Sequence, residues 1–168
     1  IDYAEKRLGA LILDNSTIHV IGAGEFGSSL AYAWRQAGRS VALWCRDPAQ
    51  AASLRETGIN PKVPECPAMP GIKAGVLTDF ALLSAKDVVV LAVKAQAQTG
   101  VFEPLRDRIR PGNAVVTVSK GFADGTGTLL SSALALPQGL GVLSGPSFSL
   151  DLFEDRPTAV TLATESPD

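Results

Sequence analysis

The stretch Thr17-Ile18-His19-Val20-Ile21-Gly22-Ala23-Gly24-Glu25-Phe26-Gly27 decides the fold. A β-branched run leads into a Gly-x-Gly-x-x-Gly turn, and Leu30, Ala31, Trp34 and Ala37 then recur with helical spacing. The spacing predicts a strand over Thr17–Ile21 and a helix over Ser28–Ala37, with Gly38 able to end it. Each glycine has a task in such a unit. Gly22 permits the tight turn, Gly24 lets backbone approach a pyrophosphate, and Gly27 lets helix and strand pack closely. The helix N-terminus offers unpaired N–H groups and a positive dipole end to phosphates.

Working outward, short β-branched runs alternate with helix-like segments, the pattern of a parallel sheet covered on both faces. Strands are expected at Val41–Trp44, Gly75–Thr78, Asp87–Val93, Ala114–Val118 and Gly141–Leu143. Thr158–Ala163 reads as a last strand, for which an antiparallel edge position is open. Asp47 and Pro48 open a second helix as cap and first residue. A helical turn at Phe80–Ser84 and helices at Val101–Ile109 and Thr126–Leu136 complete the expectation, with a loop through the proline-rich segment 58–75. The fold class is α/β, a doubly wound Rossmann-type and mostly parallel sheet.

Composition narrows the function. In 168 residues, 46% apolar and 19% charged, there is room for one globular domain over 17–168 behind an extension over 1–16. A net charge of −2 gives no bias toward nucleic acid or membrane, and no apolar run nears the roughly 18 residues of a span. Cys45 and Cys66 lack metal spacing and read as free thiols of a reducing, cytoplasmic compartment. His19, the single histidine, lies inside a strand, so a Ser-His triad or a histidine metal site lacks its parts. Asp151, Glu154 and Asp155 read as a solvated helix end, and no metal is expected.

Three further positions bear on chemistry. At the end of the second strand an acid favours NAD, whereas an arginine accommodates the 2′-phosphate of NADP. Arg46 stands there, with Asp47 committed to the cap, so NADP is favoured over NAD; the alternative for Arg46 is a solvated cation. Ser119-Lys120-Gly121-Phe122 follows one strand and Ser144-Gly145-Pro146-Ser147-Phe148 another, both at the carboxyl edge where open α/β sheets bind ligands. Lys120 is either a surface cation or a contact to a substrate phosphate or carbonyl. Gly145 leaves room for a ligand, and Ser147 either caps the next helix or donates to an anion.

These motifs, with Leu43-Trp44-Cys45-Arg46 and Pro157-Thr158-Ala159-Val160-Thr161-Leu162-Ala163, together resemble the N-terminal domain of NAD(P)-dependent glycerol-3-phosphate dehydrogenases. The resemblance implies reversible hydride transfer between NAD(P)H and dihydroxyacetone phosphate or glycerol 3-phosphate. It implies a cofactor site of Gly22, Gly24, Glu25, Phe26, Gly27, Arg46, Lys120 and Ser149, and substrate contacts from Lys120, Gly145 and Ser147. Lys120 is thus the candidate catalytic residue of this chain. The family's proton-transfer lysine belongs to a helical C-terminal domain outside these residues, so the chain alone is expected to bind cofactor without efficient turnover. A homodimer is one assembly open to the full-length protein. The sequence departs from the family at Lys94-Ala95, Ser149, Asp151 and the loop Asn60-Pro61-Lys62-Val63-Pro64, which lacks the usual tyrosine. A stand-alone nucleotide-binding module and a related 3-hydroxyacid dehydrogenase or ketopantoate-type reductase are the alternatives.

Overall fold

The computed structural model describes residues 16–123 and 127–164. The expected extension over 1–16 falls almost wholly outside them. Strand β1 (Thr17–Ile21) enters the glycine turn and helix α1 (Glu25–Gln36) leaves it. Then come β2 (Ser40–Cys45), α2 (Pro48–Thr57), β3 (Lys73–Val76), β4 (Val88–Leu91) and α3 (Ala95–Phe102). The remainder is β5 (Ala114–Thr117), β6 (Phe122–Ala123), β7 (Thr128–Leu129), α4 (Leu130–Leu134), β8 (Gly141–Ser144), α5 (Ser149–Phe153) and β9 (Thr161–Ala163).

The main sheet runs β3-β2-β1-β4-β5-β8-β9. Every pairing in it is parallel except β8 with β9, so the last strand takes the antiparallel edge position. The order reverses between β1 and β4, the topological switch point beside which such sheets bind ligands. One apolar cluster, with Val20, Leu43, Leu30 and Leu54, lies between the sheet and α1 and α2. A second, with Ile21, Leu91, Phe102 and Leu134, fills the opposite face. Central strands buried on both faces explain why Val88–Leu91 has no alternation of polar and apolar residues.

Several boundaries differ from the sequence reading. Helix α1 begins at Glu25, three residues early, because the glycine turn already has helical backbone there. The third strand is Lys73–Val76, two residues early, and Leu77–Asp79 forms a 3₁₀ turn. Phe80–Ser84 is irregular: Phe80 is buried and the Leu83 N–H donates to the Arg108 carbonyl. The helix expected at Val101–Ile109 is α3 up to Phe102, followed by 3₁₀ backbone over Glu103–Arg108. Pro104 has no N–H to give, which halts the α-helical ladder. The helix expected over Thr126–Leu136 shrinks to Leu130–Leu134, because Thr128–Leu129 pairs antiparallel with Phe122–Ala123; Thr126 lies outside the described residues.

The start of the second helix follows its signals. Asp47 Oδ1 accepts from the Ala49 N–H at 2.9 Å, Pro48 is the first helical residue, and Gly58 ends the helix in the left-handed region at φ 74°.

Candidate dinucleotide and substrate site

The glycine turn is held by close packing. Gly22 sits at φ 112°, and a Cβ there would meet the Ala92 carbonyl oxygen at 2.5 Å. A Cβ on Gly27 would stand 2.0 Å from the Gly22 oxygen. Gly24 differs: it is exposed, and a Cβ would meet nothing within 4 Å. Gly22 and Gly27 are therefore required by the fold, while Gly24 leaves its side facing solvent bare of a side chain. Among the described residues no side chain caps α1, so its first N–H groups remain available to an anion.

Behind the turn lies a buried polar brace that sequence reasoning missed. Asn60 is 1% exposed and donates from Nδ2 to the Ala23 carbonyl (3.1 Å) and to Ser28 Oγ (2.8 Å). Gln50 donates from Nε2 to the same carbonyl (2.8 Å) and to Asn60 Oδ1 (2.9 Å). Two amide donors on one carbonyl fix the peptide whose other side carries the Gly24 N–H. The only sequence hint was polar residues flanking an apolar helix and loop, and their partners lie up to 37 positions away.

At the carboxyl edge beyond this turn, a cleft of about 320 Å³ is lined by Phe26, Ala92, Ser119, Lys120, Gly145, Ser147 and Val160. A second groove joins it through Phe26 and Ser147 and adds Glu25, Phe148, Ser149 and Asp151. The structure thus brings Glu25, Phe26, Lys120, Gly145, Ser147 and Ser149 together from β1, β5 and β8. Arg46 lines neither cleft: it stands exposed after β2, on the same sheet edge. Lys94, where the sequence departs from the family, is exposed just before α3 and lines neither cleft.

The Lys120 turn is fixed from beneath. The Ser119 hydroxyl donates to the Val93 carbonyl, and the Ser119 N–H donates to Thr117 Oγ1 at 3.1 Å. Thr117 Oγ1 also accepts from the fully buried Gln98. Lys120 itself is exposed, and among the described residues its ammonium has no carboxylate partner.

Ser147 does not cap α5. The residue before that helix is Phe148, which makes no side-chain cap, and among the described residues Ser147 Oγ is buried without a hydrogen-bond partner. A buried hydroxyl without a partner costs roughly 1–3 kcal/mol, which favours the anion-donor reading over the cap. At Gly145 the space of a Cβ is taken by the chain itself, with Ala159 O at 2.4 Å and Val160 Cα at 2.9 Å. Its bareness serves the crossing of the segment before β9.

Other chemistries find little support. Burial pushes the Cys45 and Cys66 thiols up to about 11, so both stay protonated near neutrality. Both are free. Asp151 and Glu154 pair with Arg156, and among the described residues no His, Cys, Asp or Glu group is placed to hold a metal. No described helix is long and apolar enough to cross a membrane.

A doubly wound sheet with a braced glycine turn, a bare helix N-terminus and a cleft at the switch point defines a Rossmann-type dinucleotide-binding domain. Residues 17–168 match the family model described as NAD-dependent glycerol-3-phosphate dehydrogenase N-terminus, and the chain belongs to that family. Among curated relatives, the glycerol-3-phosphate dehydrogenase (NAD(P)+) of Methylobacterium radiotolerans is 40% identical over 152 residues, covering 87% of this chain and 45% of the relative. That of Rhodospirillum rubrum is 41% identical over 151 residues, covering 87% and 43%. Among solved structures, glycerol-3-phosphate dehydrogenase from Coxiella burnetii superposes with a TM-score of 0.77 at 25% identity, over 90% of this chain and 47% of that one. The chain thus spans less than half the length of these relatives.

Proposed function

We propose that the chain is the cofactor-binding half of an NAD(P)-dependent glycerol-3-phosphate dehydrogenase acting on dihydroxyacetone phosphate and glycerol 3-phosphate. The observation that carries this reading is the buried, unpartnered Ser147 hydroxyl in the cleft that also holds Lys120. One hydroxyl donor and one ammonium lining the same cleft suit a small phosphorylated molecule with a polar head.

The residues present fit a dinucleotide. Gly24 carries no side chain against an approaching pyrophosphate, and the first N–H groups of α1 would receive its oxygens. Phe26 and Glu25 would border the cofactor where the two clefts meet, with Ser149 beyond them and Arg46 at the adenosine end. A bound nicotinamide cofactor would supply the hydride. Lys120 would hold a phosphate or carbonyl oxygen by charge, Ser147 would donate to a phosphate oxygen, and Ala92 and Val160 would exclude water. The proton-transfer lysine and the helical domain that carries it belong, in this proposal, to the part of the protein beyond these residues. Two buried protonated thiols favour a reducing compartment, the cytoplasm.

The test is oxidation of NADPH or NADH by the full-length protein on adding dihydroxyacetone phosphate. Turnover is expected; its absence with both cofactors would contradict the assignment. A module that binds cofactor without turnover would show saturable binding and no such oxidation.

A further inference from the structure

The adenosine end of the site contains an arrangement that the glycine turn does not explain. β2 ends at Cys45, and Arg46 and Asp47 follow where dinucleotide folds discriminate the ribose. In NAD-type sites an acid at this edge accepts from the ribose hydroxyls. Asp47 already has a partner on each oxygen. Its Oδ1 accepts from the Ala49 N–H at 2.9 Å, and its Oδ2 meets the Lys62 ammonium at 2.6 Å. The same two partners, Lys62 foremost, hold the Asp47 carboxyl below the ordinary carboxylate range.

Lys62 is delivered by the brace behind the phosphate turn. Its N–H donates to Asn60 Oδ1 at 3.1 Å, and Asn60 in turn grips the Ala23 carbonyl. The Lys62 and Asp47 side chains are 55% and 36% exposed, and an ion pair that open to solvent adds little to stability. What it changes is the local chemistry. The Asp47 charge is countered by Lys62 and each of its oxygens already holds a partner, while the neighbouring Arg46 is exposed and, among the described residues, has no carboxylate partner.

We propose that Lys62 selects the cofactor: by occupying Asp47 it withdraws the acceptor a ribose diol needs and leaves Arg46 uncontested for a 2′-phosphate, so the site prefers NADPH to NADH. The proposal rests on the dinucleotide reading above. Lys62 acts through Asp47 and is a positioning residue.

The experiment is calorimetric titration of the full-length protein with NADPH and with NADH, for the natural sequence, Lys62→Met, Lys62→Arg, Asp47→Asn and the Asp47→Asn, Lys62→Met pair. The natural protein should bind NADPH more tightly. Lys62→Met should shrink the NADPH-to-NADH affinity ratio by about tenfold, the scale of one uncompensated charge a few ångströms from a phosphate, while Lys62→Arg retains it. Unchanged melting temperatures would accompany this result, because the pair is exposed. In the Asp47→Asn background Lys62→Met should change the ratio less than twofold. A natural protein that prefers NADH, or a ratio unmoved by Lys62→Met, would overturn the proposal. So would a loss as large in the Asp47→Asn background, since Lys62 would then act without Asp47. If the natural protein binds neither cofactor, the dinucleotide reading falls and this proposal with it; binding of both with an unmoved ratio fails this proposal alone.

Discussion

The two ends of the central strands are built from the same kinds of residue and use them in opposite ways. At the amino edge the side chains of Asp87, Asn113 and Arg110 find partners within the chain, although Ser16 Oγ beside them is buried without one among the described residues. Asp87 accepts from the N–H groups of Thr17 and Ser84, each at 2.9 Å, and Asn113 donates to the carbonyls of Ser84 and Asp87. Arg110 donates its N–H to Asn113 Oδ1 and its Nε–H to the Leu83 carbonyl. At the carboxyl edge, among the described residues, Ser147 Oγ is buried without a partner, and Lys120 and Arg46 are exposed without a carboxylate. The Asp87–Asn113–Arg110 network at the amino edge closes the structure on itself; Ser147, Lys120 and Arg46 at the carboxyl edge are left to meet something else. Parallel strands make this division natural, since successive loops of one kind all emerge at the same edge.

The comparison breaks if substitutions at the two edges behave alike. Asp87→Ala should have the largest effect, a loss of about 3 kcal/mol in urea unfolding, because the buried Asp87 side chain is the acceptor for two part-buried N–H groups. Cofactor affinity of the folded fraction should stay the same. Next, Gly27→Ala should cost roughly 1–3 kcal/mol through overlap with the Gly22 carbonyl. Gly24→Ala, with nothing within 4 Å of its Cβ, should cost under about 1 kcal/mol. It should nevertheless weaken NADPH binding at least about tenfold, a loss of roughly 1.4 kcal/mol in binding. Equal stability losses for the two glycines would erase the distinction drawn between them.

Ser147→Ala sharpens the contrast from the other side. Removing an unpartnered buried hydroxyl should leave stability unchanged or raise it by up to about 1 kcal/mol. In the full-length protein it should raise KM for the phosphorylated substrate more than it lowers kcat. A clear loss of stability would show that the hydroxyl serves the fold.

The smallest effect concerns acid. Trp44 Nε1–H donates to His19 Nδ1 at 3.1 Å, so the ring proton sits on Nε2, 3.5 Å from Asp87 Oδ2 and too far for a good hydrogen bond. Burial lowers the His19 pKa from its ordinary value of 6.5, outweighing the opposite pull of Asp87; Lys73 lowers it further. The unfolded chain therefore takes the proton first. Stability from this group is complete above the ordinary value and is lost as pH falls below it toward the folded value. Because His19 is the single histidine, its imidazole resonances titrate unambiguously by NMR. The midpoint should lie below 6.5; one above it would reverse the sign.

What could be read in the sequence was whatever is encoded locally. The glycine turn, the β-branched strands, and Asp47-Pro48 at the start of α2 are signals within a few residues, and all three hold. α3 was harder, because Ala95–Gln98 alternates alanine and glutamine without an apolar stripe and Pro104 ends the α geometry inside an apparently amphipathic run. The β6–β7 pairing was hidden because Thr128 and Leu129 are exposed. At the site, the residues quoted from motifs do gather at one edge, except that Arg46 stands apart from both clefts. The brace of Asn60 and Gln50 and the Lys62–Asp47 pair could not be read, since each joins segments distant in sequence.

The division between the edges is tested most directly by hydrogen–deuterium exchange of the protein with and without NADPH. Amides of residues 22–28, 45–47 and 118–121 should gain protection, while those of 83–88 and 110–114 should exchange as before. Protection centred on the amino edge, or none at the glycine turn, would contradict the account.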